Sequence, residues 1–169
     1  MNDISPNFKG PNTTDSAIIT HILQYQETPF AIQEFSRLCQ QLSHDAYWIL
    51  LSTLWVSYSG FSDLELWRKL FRSGRKKRLS SLMKPSEFEA FKKLTDTIIA
   101  FRAHRPGEDD WISYTLDIET ARRFARERGS IVTVYKLSKK DCLALFLRRG
   151  EFELIMLDPK KARFRAEVQ

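Results

Sequence analysis

The chain has 169 residues, of which 43% are hydrophobic and 28% are charged. These values are typical of a globular protein and exclude a disordered one. The length accommodates one domain, alone or with a helical extension. A formal charge of +6 favours acidic partners, of which nucleic acid is the commonest. A solvated surface with mixed charges accounts for the same excess.

The two cysteines, Cys39 and Cys142, lie in no Cys-x-x-Cys or Cys/His pattern. We therefore expect neither a disulfide scaffold nor a metal site, but free thiols in the reducing cytoplasm of a bacterial or host cell. The N-terminal sequence MNDISPNFKG lacks the apolar segment of a signal peptide. The uncharged stretch 46–61 is too short and too polar to span a bilayer, so no membrane association is expected.

The first half of the chain has helical patterning. Residues 1–16, rich in Asn, Pro, Thr and Ser, are predicted to form a flexible tail, and residues 17–96 a helical lobe. Caps and apolar periodicity indicate successive helices. These signals are Thr28-Pro29, the span 45–58 with Gly60 as its stop, and the capping-box sequences that begin at Ser62 and Ser86.

The pattern changes near Thr97, and residues 97–169 are predicted to form a β-rich core. Asp117 and Gly129 indicate the two ends of one helix within it. Apolar and β-branched runs predict the strands. These runs are 98–101, 111–116, 131–137, 143–147, 152–157 and 164–168. The fold class is therefore α+β, one continuous domain with its helices packed on a small sheet.

Arg102 follows the apolar run 98–101. A charge at the end of a buried strand needs a partner or a ligand, and the planar guanidinium suits phosphate and carboxylate. An arginine that simply emerges at a strand end is the alternative. Ser113 and Thr115 share a strand face, where their hydroxyls either contact a ribose and a carboxylate or are ordinary strand groups.

Glu151 and Glu153 open a predicted strand, where a period of two directs both side chains to one face. Two neighbouring carboxylates repel each other, so we expect a cation beside them. Arg102, Arg148 and Arg149 are the candidates. The alternative is a frayed strand start at which both glutamates lie in solvent.

Taken in order, these motifs resemble those of mono-ADP-ribosyltransferases of the arginine–serine–glutamate type, in particular compact bacterial and phage-associated members. The resemblance covers about residues 97–165. The matching segments are Phe101-Arg102-Ala103-His104, Ser113-Tyr114-Thr115, Phe124-Ala125 in the predicted helix, and Glu151-Phe152-Glu153. The chain departs from the family pattern at Ala103, where Gly is usual, and in the short interval between Arg102 and Ser113. A methyl group at Ala103 is expected to weaken binding if a dinucleotide approaches that backbone closely.

The resemblance implies an ADP-ribosyltransferase-like β-sandwich core with an N-terminal helical lobe. It also implies transfer of ADP-ribose from NAD, without a metal, to a macromolecular acceptor. Glu153 would stabilise the oxocarbenium-like ribose, and Arg102 would hold the NAD phosphates or ribose. Ser113 would position the glutamate, Thr115 would support the strand, and Glu151 would orient the acceptor, either a protein arginine or a nucleic acid.

The same resemblance implies roles for further residues. Ala103 and His104 adjoin the arginine, and the resemblance places them in contact with NAD, His104 on the adenylate side. The alternative for His104 is an exposed histidine in a loop. Phe124 either stacks on nicotinamide or belongs to the core, as a helix aromatic at core spacing commonly does. The turn 146–150, with Arg148 and Arg149, is expected to recognise the acceptor. A toxin of this family would also have an antitoxin or inhibitor as a partner.

Two other functions remain open. The first is a non-catalytic module of the same fold that binds NAD or a partner, with which Ala103 is compatible. The second is a basic nucleic-acid-binding protein, in which the run Arg72, Arg75, Lys76, Lys77 and Arg78 meets phosphates. The alternative is that this run forms a solvated turn and the start of a helix.

Overall fold

The computed structural model describes residues 3–5, 8–58, 60 and 62–169. This part of the chain contains seven α-helices and a six-stranded antiparallel sheet, which confirms the α+β class. The chain divides into two compact units, Met1–Phe88 and Glu89–Gln169. The predicted boundary, between 96 and 97, lies further along the chain. Within the described ranges, none of the helices has the length and apolar character that crossing a membrane requires.

The first unit is helical. The helices are α1 (Thr13–Leu23), α2 (Phe30–Leu38), α3 (His44–Ser57), α4 (Leu64–Phe71), the single turn α5 (Arg78–Ser81) and α6 (Pro85–Lys92), within which the unit boundary falls. The predicted helices after Thr28-Pro29, over 45–58 and after Ser62 are confirmed as α2, α3 and α4. Asp63 caps α4, since its Oδ1 accepts a hydrogen bond from Leu66 N at 3.0 Å.

Helix α1 was not predicted, and it begins inside the segment expected to be a flexible tail. Asn12 caps it, accepting a 2.8 Å hydrogen bond from Asp15 N. Asp15 itself is only 1% exposed. Its carboxylate accepts hydrogen bonds from Ser43 N at 2.8 Å and from Ser43 Oγ at 2.7 Å. Because Ser43 is distant in sequence, no local pattern indicates this contact.

The second unit is built on one sheet with strand order β4-β5-β2-β1-β3-β6. The strands are β1 (Thr97–Ala103), β2 (Ser113–Thr115), β3 (Val132–Ser138), β4 (Ala144–Phe146), β5 (Glu153–Ile155) and β6 (Arg163–Val168). All six were predicted from their apolar runs. The described strands all belong to this single sheet, and the expected ADP-ribosyltransferase-like sandwich is not confirmed.

Each face of the sheet has its own hydrophobic cluster. Ile98, Ala100 and Tyr135 belong to the cluster on one face. On the other face, Ala103 and Val132 pack under α7 (Ile118–Arg128). The predicted ends of α7 are confirmed. Asp117 accepts hydrogen bonds from Glu119 N and Thr120 N, and Gly129 takes a left-handed conformation with φ 62°.

Thr115 of β2 pairs with residues of the strands on both sides. It is opposite Phe101 of β1 on one side and opposite Glu153 of β5 on the other. The segments around Arg102, Ser113 and Glu153 are far apart in sequence, yet they lie on three adjacent strands. The sheet topology therefore brings the predicted motifs into one neighbourhood.

We expect Asp15→Ala to lower the free energy of unfolding by about 2–4 kcal/mol, because it removes two charge-assisted hydrogen bonds and leaves the Ser43 amide without its acceptor. Urea denaturation measures the change. Gln33→Ala, at an exposed position of α2, is the control and should change stability by less than about 0.5 kcal/mol. Equal effects of the two substitutions would contradict the role of Asp15.

Candidate functional site

The guanidinium of Arg102 is almost fully engaged within the second unit. Nε donates to Glu108 Oε2 at 2.9 Å and Nη2 donates to Glu108 Oε1 at 2.5 Å. Nη1 donates to Ser113 O at 2.9 Å and to Ser113 Oγ at 3.3 Å. The structure therefore brings Arg102 and Ser113 together, as predicted. It leaves one N–H of the guanidinium, on Nη2, for any other acceptor.

Glu108, which no sequence motif indicated, is the counter-ion of Arg102. It lies in the polar loop between β1 and β2, where Asp109 and Asp110 follow it and give no signal to single it out. Its side chain is 10% exposed, and that of Arg102 is 11% exposed. The planar fork of the arginine meets both carboxylate oxygens, which is the strongest geometry for such a pair.

His104 extends this ion pair into a chain of hydrogen bonds. Its Nδ1 lies 2.7 Å from Glu108 Oε2, and its Nε2 lies 2.7 Å from the Tyr135 hydroxyl. The ionised carboxylate can only accept, so Nδ1 carries the proton, and in the neutral ring Nε2 accepts from Tyr135. Trp111 packs edge-on against the imidazole with ring centroids 4.3 Å apart. His104 is thus held by three neighbouring residues, Glu108, Tyr135 and Trp111, rather than exposed in a loop.

The pKa of Glu108 reflects these contacts. Burial alone would raise it, but hydrogen bonds from His104 and Arg102 and the charge of Arg102 outweigh burial and lower the pKa to about 2. The carboxylate is therefore ionised over the whole physiological range.

The pleat of the sheet separates Arg102 from Glu153. Residues opposite each other in an antiparallel pair point to the same face, and successive residues alternate. Glu153, Thr115 and Phe101 form one row, whereas Arg102 lies opposite Thr133 in the next row. The Cβ atoms of Arg102 and Glu153 therefore point to opposite faces of the sheet, and Glu153 is on the face that α7 covers. The guanidinium of Arg102 nevertheless reaches the hydroxyl of Ser113, which shares the face of Thr115 and Glu153.

Glu151 and Glu153 do not share a strand, because β5 begins only at Glu153. The expected period-two alignment of the two carboxylates is therefore wrong. Glu151 ends a turn in which Arg149 and Gly150 have φ values of 65° and 68°, and Phe152 follows with φ 46°. These left-handed conformations are unfavourable for Arg and Phe, and they rotate Glu151 out of the strand.

The cation beside Glu151 is Arg123 of α7, which no motif singled out. Its Nη2 lies 3.3 Å from Glu151 Oε1, and Arg149 Nη2 lies 3.9 Å from the same oxygen. Arg149, one of the three cations expected there, lies beside Glu151, and the guanidinium of Arg148 lies over the Phe146 ring at 5.2 Å. Thr115 holds the turn in place, since its hydroxyl donates to the Glu151 carbonyl at 2.6 Å.

Ala103 and Phe124 belong to the packing between β1 and α7. Ala103 is 1% exposed and its methyl group lies in the cluster under the helix, so that methyl faces the interior rather than a ligand. Phe124 packs against the same cluster, and the guanidinium groups of Arg123 and Arg128 lie over its ring at 5.0 and 4.7 Å. These contacts favour the core interpretation of Phe124.

No metal centre is evident in the described part of the chain, where no group of three or more His, Cys, Asp and Glu side chains is placed to hold an ion.

We expect Glu108→Gln to lower the free energy of unfolding at pH 7 by about 2–4 kcal/mol, because it leaves the buried guanidinium of Arg102 without its counter-charge. The folded pKa lies below the ordinary value of 4.5. The carboxylate therefore contributes stability above pH 4.5, and that contribution is lost as the pH falls towards 2. Urea denaturation at a series of pH values should show the two proteins converging over this window.

Glu119→Gln, which alters an exposed carboxylate on α7, is the control for this pH series. It should follow the wild-type profile closely. Parallel profiles for wild type and Glu108→Gln between pH 4.5 and 2 would contradict the assignment of a stabilising ion pair to Glu108.

Comparison of the chain with protein-family models, with curated proteins and with solved structures finds no match in any of the three. The resemblance to mono-ADP-ribosyltransferases thus rests on short motifs of this chain alone. A functional proposal therefore depends on the contacts of five residues, which are Arg102, Ser113, Thr115, Glu151 and Glu153.

Proposed function

We propose that the chain transfers ADP-ribose from NAD to a macromolecular acceptor. The observation that supports the proposal is the register of β1, β2 and β5, in which Thr115 lies opposite both Phe101 and Glu153. The three motifs of the family pattern come from distant parts of the sequence. Their meeting on adjacent strands, in the order of that pattern, supports the proposal, with Glu153 on the α7 face and Arg102 supporting the strands from the other face.

Glu153 is the residue proposed to stabilise the transition state by its charge. The glycosidic bond between ribose C1′ and the nicotinamide nitrogen breaks, and its electron pair leaves with nicotinamide. The ribose gains oxocarbenium character, which a carboxylate fixed nearby stabilises. Glu153 is held at the first position of β5 by its pairing with Thr115 and Phe146. Such a carboxylate would also accept a hydrogen bond from the ribose 2′-hydroxyl.

Glu151 is the proposed acceptor-binding group. A nucleophilic nitrogen or oxygen of the acceptor forms the new bond to C1′ and passes its proton to this carboxylate. Glu151 is fixed by Arg123 but remains partly accessible, with a side chain 20% exposed. The preceding turn presents Arg148 and Arg149, and the 47% exposed Phe152 follows Glu151. That surface suits either a protein arginine, through Glu151, or a nucleic acid, through the two arginines.

Arg102 is assigned a positioning role in this proposal. Its guanidinium is committed to Glu108 and to the carbonyl and hydroxyl of Ser113. It therefore fixes the start of β2, and with it the place of Thr115 two residues later. His104 serves the same purpose through its hydrogen bond to Glu108. Thr115 then holds the turn before β5 through its hydrogen bond to the Glu151 carbonyl, and Ser113 and Thr115 pair with β5 in the sheet.

One observation favours a second candidate, a non-catalytic module that binds NAD or a partner. A guanidinium that already holds a carboxylate bidentately is a weakened ligand for a pyrophosphate. A chain that retained the fold but not transfer would still bind NAD through the groups around Thr115. Binding without turnover separates this candidate from the transferase.

We expect Glu153→Gln to reduce transfer of label from adenylate-labelled NAD to protein or RNA by about 10²–10³, because it removes one preorganised charge from the transition state. Transfer is measured by incubating the chain with labelled NAD and a cell lysate, followed by separate digestion with protease and with ribonuclease. Glu167→Gln, at an exposed position of β6, is the matched control and should transfer at the wild-type rate.

The two candidates differ in what the wild-type chain does in this assay. Label on protein or on RNA supports the transferase and identifies the class of acceptor. Thermal stabilisation by NAD without any transfer would favour the non-catalytic module. Wild-type transfer by a folded Glu153→Gln variant would refute the role of Glu153.

A further inference from the structure

Positive charge in the first unit is concentrated in one segment. Residues 68–78 contain seven Lys and Arg and no Asp or Glu, whereas the rest of the chain up to Phe88 contains three Lys and Arg against eight Asp and Glu. A surface that is merely solvated would mix the two signs. The end of α4, the loop after it and the start of α5 instead form a basic segment on an otherwise acidic unit. We call residues 72–80 of this segment the basic loop.

Hydrogen bonds to residues 39–48 hold the basic loop in place. Arg75 donates from Nη1 to Leu42 O at 2.7 Å and from Nη2 to Cys39 O at 2.8 Å, and its guanidinium lies 4.6 Å from the centre of the Tyr47 ring. The indole Nε1 of Trp48 donates to Lys76 O at 2.8 Å. These contacts fix the loop before any ligand arrives, which lowers the entropic cost of binding.

Lys77 connects the basic loop to α3 by an ion pair. It adopts a left-handed conformation with φ 65°, and its Nζ lies 2.5 Å from Asp45 Oδ2. The other oxygen of that carboxylate accepts from Ser81 Oγ at 2.5 Å. Arg75 and Lys77 are thus used to build the loop rather than to present charge.

The remaining cations of the basic loop are Arg72, Lys76 and Arg78. Arg72 and Lys76 are exposed and Arg78 is half-buried. None of the three forms an ion pair within the described residues. Three uncompensated charges held close together on a fixed backbone repel one another, so an anionic ligand would relieve that repulsion.

The same loop encloses an open pocket of about 500 Å³, lined by Ser73, Gly74, Arg75, Lys77, Arg78, Leu79 and Ser80. Its wall offers the guanidinium of Arg78 and the hydroxyl groups of Ser73 and Ser80 to an anion. Leu79, which is 56% exposed, adds an apolar surface at its rim. Phosphate oxygens suit the polar groups, and the flat face of a base suits the leucine.

We infer that the basic loop binds the phosphate backbone of a nucleic acid. Arg72, Lys76 and Arg78 contact phosphates, while the serine hydroxyls donate to phosphate or sugar oxygens. Contacts of this kind position a strand without reading its sequence, so the binding is largely independent of sequence and sensitive to salt. It uses no residue of the proposed transfer site and does not depend on that proposal.

The test is fluorescence anisotropy of a labelled single-stranded RNA of about 20 nucleotides, measured without NAD over a range of salt concentrations. Three phosphate contacts predict a slope of about −2 for log K against log[salt]. A variant that combines Arg72→Gln, Lys76→Gln and Arg78→Gln should bind at least about tenfold more weakly at low salt, with a slope near zero. Thermal unfolding checks that the variant remains folded.

The control combines Lys160→Gln, Arg163→Gln and Arg165→Gln, which removes the same charge from exposed positions of the second unit. It should retain the affinity and the slope of the wild type. Equal weakening by both variants would assign the binding to diffuse net charge and overturn the inference. Tighter binding of poly-glutamate or of anionic vesicles than of RNA, or the absence of RNA binding, would overturn it as well.

Discussion

The ion pair between Arg102 and Glu108 fixes the end of the sheet on which the candidate site is built. Without the carboxylate, the arginine would be a nearly buried charge at the end of β1, which is costly. With it, the guanidinium can hold both the carbonyl and the hydroxyl of Ser113. The start of β2, the loop between the two strands and the orientation of His104 all depend on this one contact.

The sheet distributes the polar groups over two faces. On the face of Arg102 lies a closed chain of hydrogen bonds through Glu108 and His104 to Tyr135. The other face, under α7, is that of Thr115 and Glu153. In the first arrangement four of the five guanidinium N–H groups are engaged, whereas the second adjoins a turn with unfavourable backbone conformations. Strain of this kind is typical of functional sites, and this contrast is why the proposed chemistry is assigned to the α7 face.

Local signals predicted most of the fold. The caps Asp117 and Gly129 marked α7, and the apolar runs marked every strand of the sheet, because caps and side-chain periodicity act within a few residues. Glu108 could not be found in this way, since its importance comes from partners across a loop. The period-two rule misplaced Glu151 because Phe152 adopts a positive φ, which an aromatic residue seldom does. Helix α1 was missed because its anchor is a contact to α3.

The most direct test of the proposed transfer is a crystal structure of the chain soaked with NAD. The account predicts that the nicotinamide ribose lies on the α7 face, with its 2′-hydroxyl about 3 Å from a carboxylate oxygen of Glu153 and the Arg102–Glu108 pair intact. A dinucleotide bound on the opposite face, with its phosphates on Arg102 in place of Glu108, would contradict the account. So would crystals in which saturating NAD leaves the surroundings of Glu153 empty.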